Sequence, residues 1–211
     1  MIYELRTYTL FPGKMPDYLK AAETIGRPAR GDNYGRCHAY WTSEFGQLNQ
    51  IWHLWSYDSL NERERLRGEL QKNEKWTKEY VPTIRPLIAR QDLRVLNGVV
   101  HPAAPTTGSH LYELRMYRTV LGGARQYAEN LKAVLPVRGK YSPAVGVWTG
   151  EFPQPNELLH MWRYKDLNER AAARAAVMKE PAWQEYLKKG APLLAEMQSI
   201  ILMPTVFSPM K

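Results

Sequence analysis

Along Ile2–Leu10 the strand formers Tyr, Leu and Thr are interleaved with the charged Glu4 and Arg6, and Pro12-Gly13 ends the run. That pattern predicts a strand. From Met15-Pro16 onward, Tyr18, Leu19, Ala22 and Ile25 form an apolar side. A helix is predicted over residues 15–25, with Pro16 in the first turn, where a missing N–H costs nothing. A Gly-, Pro- and Asn-rich stretch follows over 26–35, and then 37–43 and 50–57 read as two strands turning near Gly46. Ser59 and Glu62 have the spacing of a capping box, which opens a second helix. Residues 90–96 read as a closing strand, so the order is βαββαβ.

The same pattern then repeats. Tyr3-Glu4-Leu5-Arg6-Thr7-Tyr8 returns as Tyr112-Glu113-Leu114-Arg115-Met116-Tyr117, and Trp41-Thr42-Ser43-Glu44-Phe45 as Trp148-Thr149-Gly150-Glu151-Phe152. His53-Leu54-Trp55-Ser56-Tyr57 pairs with His160-Met161-Trp162-Arg163-Tyr164, Leu60-Asn61-Glu62-Arg63 with Leu167-Asn168-Glu169-Arg170, and Trp76 with Trp183. Asp166 and Glu169 repeat the capping spacing, and residues 197–203 the closing strand. Rare aromatics do not stay in register by chance, so the halves share an origin. We read residues 1–97 and 110–211 as two modules joined by a Gly/Pro/Ala/Thr-rich linker, 98–109. Each βαββαβ unit specifies a ferredoxin-like antiparallel sheet with helices on one face. The bare face of one sheet needs the other.

The segments Tyr3-Glu4-Leu5-Arg6-Thr7-Tyr8, Pro12-Gly13-Lys14 and Gly46-Gln47-Leu48-Asn49-Gln50-Ile51-Trp52-His53-Leu54-Trp55-Ser56-Tyr57 resemble the NIPSNAP family. The resemblance covers nearly all of the first module. The second has Leu121-Gly122-Gly123 and Phe152-Pro153-Gln154-Pro155-Asn156 at two of these places and has diverged. What the resemblance implies is an α+β fold in which two tandem modules pack sheet to sheet as an intrachain dimeric α/β barrel. Superfamily relatives include cofactor-independent monooxygenases, isomerases, aldoxime and haem enzymes, and small-molecule binders. The expectation is therefore a small organic ligand in a pocket, with either cofactor-independent oxygenase, isomerase or lyase chemistry or non-catalytic binding or scaffolding. The first module, which matches better, is the one expected to have kept a function.

Composition narrows this further. A chain that is 44% hydrophobic with 7 Trp and 13 Tyr is built to fold. The single cysteine, Cys37, excludes an intrachain disulfide and fits a reducing compartment, so the expected location is cytoplasmic. No apolar run approaches membrane-spanning length, and charge interrupts the first residues. The net charge of +8 is diffuse, with 15 Lys/Arg against 12 Asp/Glu before residue 98 and 14 against 9 after it. With no nucleic-acid-binding motif, it argues against a nucleic-acid partner. Association of chains into a homo-oligomer stays open.

Strand alternation places Glu4, Arg6 and Tyr8 on one face of the first strand, and His53, Trp55 and Tyr57 on one face of its neighbour. Glu113, Arg115, Tyr117, His160, Trp162 and Tyr164 repeat the set. One reading is catalytic: Arg6 or Arg115 holds a carboxylate or enolate, His53 or His160 moves a proton, and Tyr8 or Tyr117 assists. Trp41, Trp55 and Glu4, with Trp148, Trp162 and Glu113, would then border the substrate. The other reading is structural: Glu4–Arg6 is an ion pair across the inter-sheet surface, and the histidines and tryptophans are core. No cofactor is expected. A metal site is not expected either, since His38 near His53 has no counterpart in the second module. Arg63, Arg65 and Arg67 read as a solvated helix face beside Glu62, Glu64 and Glu69.

Overall fold

The computed structural model describes residues 1–102, 104–105 and 107–211; positions 103 and 106 of the expected linker lie outside the described residues. Eight strands form a closed antiparallel barrel in the order β1-β3-β2-β8-β5-β7-β6-β4. The first module contributes β1 (Ile2–Leu10), β2 (Arg36–Phe45), β3 (Gln50–Tyr57) and β4 (Ile88–Val100), and the second β5 (Leu111–Thr119), β6 (Ala144–Phe152), β7 (Glu157–Tyr164) and β8 (Leu194–Pro204).

Each module is thus the expected four-stranded sheet, and the two close at their edges. Trp41 to Phe45 of β2 pair with Pro204 to Ile201 of β8, while Val95 to Val100 of β4 pair with Phe152 to Val147 of β6. Both closing strands run longer than the predicted 90–96 and 197–203, because each crosses the seam onto the other module. Closure leaves no free sheet edge to template aggregation.

Alternation along every strand sorts side chains to two sides. Tyr3, Leu5, Trp41, Trp52 and Leu54 point into the barrel, where they meet Tyr112, Leu114, Met116, Trp148 and Leu202 in one core. The other side carries a separate core per module beneath the helices, around Tyr18, Trp55 and Tyr80 in the first and Tyr127, Trp162 and Tyr186 in the second.

The helices start as the caps dictate. Ser59 Oγ accepts the Glu62 N–H ahead of α3 (Leu60–Gln71), and Asp166 Oδ1 accepts the Glu169 N–H ahead of α6 (Leu167–Val177). The first helix is longer than its predicted 15–25. After α1 (Met15–Ala21) a π-helical turn at Ala22–Gly26 leads into α2 (Arg27–Arg30). Pro28 does not stop the helix, because the wide turn has already loosened the hydrogen-bond ladder its ring would break. A second π-helical turn, Lys75–Tyr80, precedes α4 (Val81–Ile84). The second module has plain helices instead, α5 (Gly123–Arg138) and α7 (Pro181–Gly190).

Each wide turn marks one extra residue. Tyr18 and Tyr127 are 109 positions apart, but Arg30 and Arg138 are 108 apart; Trp76 and Trp183 are 107 apart, but the ring partners Tyr80 and Tyr186 are 106 apart.

Gly35 sits at φ +107°, and a Cβ there would meet the Tyr57 ring at 2.4 Å; Gly13 sits at φ +79° with open space around it. Gly13→Ala is therefore expected to lose about 1 kcal/mol from left-handed backbone alone. Gly35→Ala should lose roughly 3 kcal/mol, as overpacking against the ring is added. Urea unfolding midpoints of the two variants measure the difference.

Candidate functional site

Each module buries one carboxylate between sheet and helices. Glu4, fully buried on β1, receives Arg6 Nη1 at 2.8 Å from its own strand and Arg63 Nε from α3, with Arg67 Nη1 at 3.8 Å. Glu113 on β5 repeats this with Arg115 at 3.4 Å, Arg170 at 2.7 Å and Arg174 at 3.7 Å, and also accepts Ser199 Oγ at 2.8 Å. The pair lies beneath the helices, so an ion pair across the inter-sheet surface is corrected: strand alternation puts Tyr3 and Leu5, not Glu4 and Arg6, inside the barrel. The solvated-face reading of α3 is corrected too. Arg65 alone pairs outward, with Glu62, while Arg63 and Arg67, one helical turn apart, reach Glu4.

Burial pushes the Glu113 carboxyl upward, but hydrogen bonds from Arg170 and Ser199 and the charges of Arg115 and Arg170 outweigh it and hold the group at about 2. Glu4 is likewise lowered against burial by Arg6 and Arg63.

A fourth guanidinium tops each site. Arg30, from the end of α2, lies 3.4 Å from the Trp55 ring centre and donates to Tyr57 Oη at 2.8 Å. Arg138, from the end of α5, lies 4.5 Å from the Trp162 ring and donates to Tyr164 Oη at 2.8 Å. Both are buried, and Arg30 Nε and Arg138 Nη1 have no protein partner among the described residues. Each module therefore gathers three guanidinia around one carboxylate and sets a fourth on the neighbouring tyrosine.

The histidines are locked in one tautomer. Trp55 Nε1–H donates to His53 Nδ1 at 2.6 Å, and Trp162 Nε1–H to His160 Nδ1 at 2.7 Å. An indole nitrogen only donates, so each Nδ1 carries the lone pair and each neutral ring keeps its hydrogen on Nε2. Both Nε2 atoms are buried without a protein partner among the described residues. Burial, then the charge of Arg6 or Arg115, depresses both rings, His160 to about 3 and His53 well below its ordinary value. At neutral pH both are uncharged N–H donors.

The modules part at the cavity. In the first, Tyr40 stacks on His53 at 4.7 Å and 5°, with Phe207 of the C-terminal segment against Tyr40. A cleft of about 550 Å³ opens beside it, lined by Arg6, Tyr8, Arg30, Arg67, Trp76 and Arg85 among others, but His53 does not reach it. In the second, Val147 faces His160 across the ladder, where Tyr40 faces His53. A cavity of about 380 Å³ reaches His160 there, with Arg115, Tyr117, Arg138, Trp162 and Tyr186 in its wall. Trp55 stays beneath Arg30 in the first module's outer core. Trp41 and Trp148, expected as pocket walls, instead face the barrel interior. His38 sits at a bulge in β2 and bonds Ser56 at 2.8 Å, and no cluster of metal-ligating side chains occurs among the described residues.

The profile of the NIPSNAP family matches residues 3–100 and again 112–209. The chain belongs to the NIPSNAP family. Human protein NipSnap homolog 3A is 28% identical over 219 residues, covering 100% of this chain and 86% of that protein. The NipSnap homolog of Dictyostelium discoideum is 28% identical over 211 residues, covering 96% and 87%. Two solved structures share the whole fold at low identity. One, a candidate monooxygenase from Lactobacillus acidophilus, has a TM-score of 0.71 at 12% identity, covering 98% of this chain and 97% of that one. An anthrone oxidase-like protein has a TM-score of 0.66 at 11% identity, covering 98% and 92%. No helix among the described residues of this NIPSNAP chain is long and apolar enough to cross a membrane.

The sequence reading placed Glu4, Arg6, Tyr8, His53 and Trp55 on one side, and the fold brings them and their counterparts together. It missed Arg30, Arg63, Arg67, Arg138, Arg170 and Arg174. A signal was present: Arg63 and Arg67 recur as Arg170 and Arg174, whereas Arg65 becomes Ala172.

Two outcomes are expected for stability. The depressed His160 stays neutral in the fold while the unfolded ring, near 6.5, takes a proton, so its contribution is complete above 6.5 and is lost as pH falls toward about 3. Glu113 adds a loss below its ordinary 4.5, down to about 2. The slope is about 1.4 kcal/mol per pH unit for each such group, and the urea midpoint should begin to fall below 6.5; His160→Asn should lessen that first limb by one group's share, His53 and His38 supplying the rest. Glu113→Gln strands three guanidinia and should lose about 3 kcal/mol or more, seen as a lower melting temperature.

Proposed function

We propose that this protein binds an apolar organic molecule carrying a carboxylate or enolate oxygen in the cavity of the second module. The observation that carries the reading is the His160 Nε2–H, a buried donor with no protein partner on a residue lining that cavity. A neutral imidazole N–H beside Arg115 and Arg138 suits an oxygen that carries or develops negative charge, and burial strengthens the interaction. Trp162, Trp183, Val177, Met178, Leu187, Leu194 and Met197 supply apolar wall for the rest of the ligand.

The chemistry this supports is stabilisation of an enolate or phenolate, the common need of cofactor-independent oxygenation and of enol-type isomerisation. His160 acts in it as a hydrogen-bond donor, because its Nδ1 is held by Trp162 and its only free position already bears the hydrogen. The likeness to the monooxygenase and anthrone oxidase-like folds agrees with this class while resting on shape alone. A second reading, binding without turnover, is favoured by one observation: no Asp or Glu lines the cavity among the described residues. Proton removal would then depend on the acidity of the bound molecule itself.

2-Naphthoate, a flat aromatic carboxylate, is a suitable probe. Saturable binding by calorimetry is expected, weakened at least tenfold by His160→Phe, which keeps the ring volume and removes the N–H. Leu194→Trp, which fills the cavity from its wall, should abolish it; unchanged binding in both variants sinks the proposal. A bound enol or phenol whose pKa is unshifted from its solution value would leave only the non-catalytic reading.

A further inference from the structure

The cleft of the first module carries cationic and amide groups beyond those it shares with the second cavity, and its chemistry is independent of any ligand bound there. Arg6, Arg30, Arg67 and Arg85 line it, coming from β1, α2, α3 and the single 3₁₀ turn Arg85–Leu87 after α4. Their one buried counter-charge, Glu4, is already held by Arg6 and Arg63. Neither Arg30 nor Arg85 has a carboxylate within ion-pair distance among the described residues, and Arg30, only 3% exposed, keeps its Nε without a partner. A buried cation in that state is stabilised by an anion brought in from outside.

The second cavity repeats three of these arginines, as Arg115, Arg138 and Arg174, and differs from the first around them. Register fixes the correspondence: Arg90 and Glu196 sit opposite Thr9 and Arg118, and Gln91 and Met197 opposite Tyr8 and Tyr117. Ala191 stands where the first module has Arg85, and Met178 where it has Gln71. One copy has therefore gathered cationic and amide groups at the positions where the other has apolar or acidic ones. Overall charge does not explain this either, since the first half of the chain carries the smaller basic excess.

We infer that the first module's cleft is a separate binding site for an organic phosphate. Guanidinia approaching from four different elements can engage several oxygens of a tetrahedral dianion at once, a demand that a planar carboxylate does not make. Trp76, Val81, Ile84 and Ile88 give an apolar bed for the organic part.

The test is calorimetric titration of the full chain with pyrophosphate at about 100 mM salt, where exposed charges are largely screened. One saturable site per chain is expected, weakened at least tenfold by Arg85→Glu and less by Arg85→Gln, with circular dichroism showing both folded. Arg125→Glu, an exposed α5 position remote from the cleft with the same charge change, should bind as the wild type does. The inference is overturned by two equivalent sites, by no saturable binding, by equal weakening in the Arg85→Glu and Arg125→Glu variants, or by citrate binding as tightly as pyrophosphate.

Discussion

A carboxylate with no access to water ties the two layers of each module together. Glu4 and Glu113 would be expensive to bury alone, so each draws an arginine from its own strand and another from the helix above. That requirement sets the bearing of α3 and α6, whose N-caps place Arg63 and Arg170 one turn in from the start of the helix. The cations that satisfy the carboxylate exceed it in number. Burial, and then the excess positive charge held between a sheet and helices, depresses the nearby histidines, and some donors are left without protein partners among the described residues. Binding potential at these sites is thus a by-product of how the layers are joined.

The barrel separates this chemistry from the rest of the molecule. Its interior is filled by Trp41, Trp52, Trp148 and their neighbours, and the edge strands cross at both seams, so each half is completed by the other. The two outer faces keep separate cores, and Phe207 and Ser208 of the C-terminal segment reach across to Tyr40 of the first. Each has its own core and its own cavity, and they differ at the imidazole: Tyr40 stacks on His53, which lines no cavity wall, while His160 lines its own. The expectation from sequence favoured the first module as the functional half, because it matches the family segments better. The open imidazole lies in the second.

Much of the architecture was legible because strand alternation and aromatic register are local signals. The duplication, the βαββαβ order, both N-caps and the shared Glu-Arg-Tyr and His-Trp-Tyr faces could all be read from spacing. Side-of-sheet assignments were harder. Trp41 belongs to a strand whose outward and inward positions are both apolar, Tyr40 and Trp41 alike, so alternation could not tell wall from core. The arginines of α3 looked solvated because glutamates surround them in sequence, and only the buried Glu4 beneath reveals which two point down. Arg30 was hidden for another reason: it follows Gly26 and Pro28, which read as loop, whereas the helix persists through a wide turn.

Those wide turns amount to a phase correction. A residue inserted into a regular helix would swing everything beyond it by about 100° around the axis, carrying Arg30 away from Trp55 and Tyr80 away from Tyr18. A π-helical turn takes up the additional residue within a single loop of backbone, and the downstream side chains keep their bearing. Arg30 and Arg138 accordingly grip equivalent tyrosines at the same 2.8 Å despite the unequal lengths of chain leading to them. In this chain helix length is free to drift while angular position is held, so gaps in a comparison of its halves mark places where geometry has been defended.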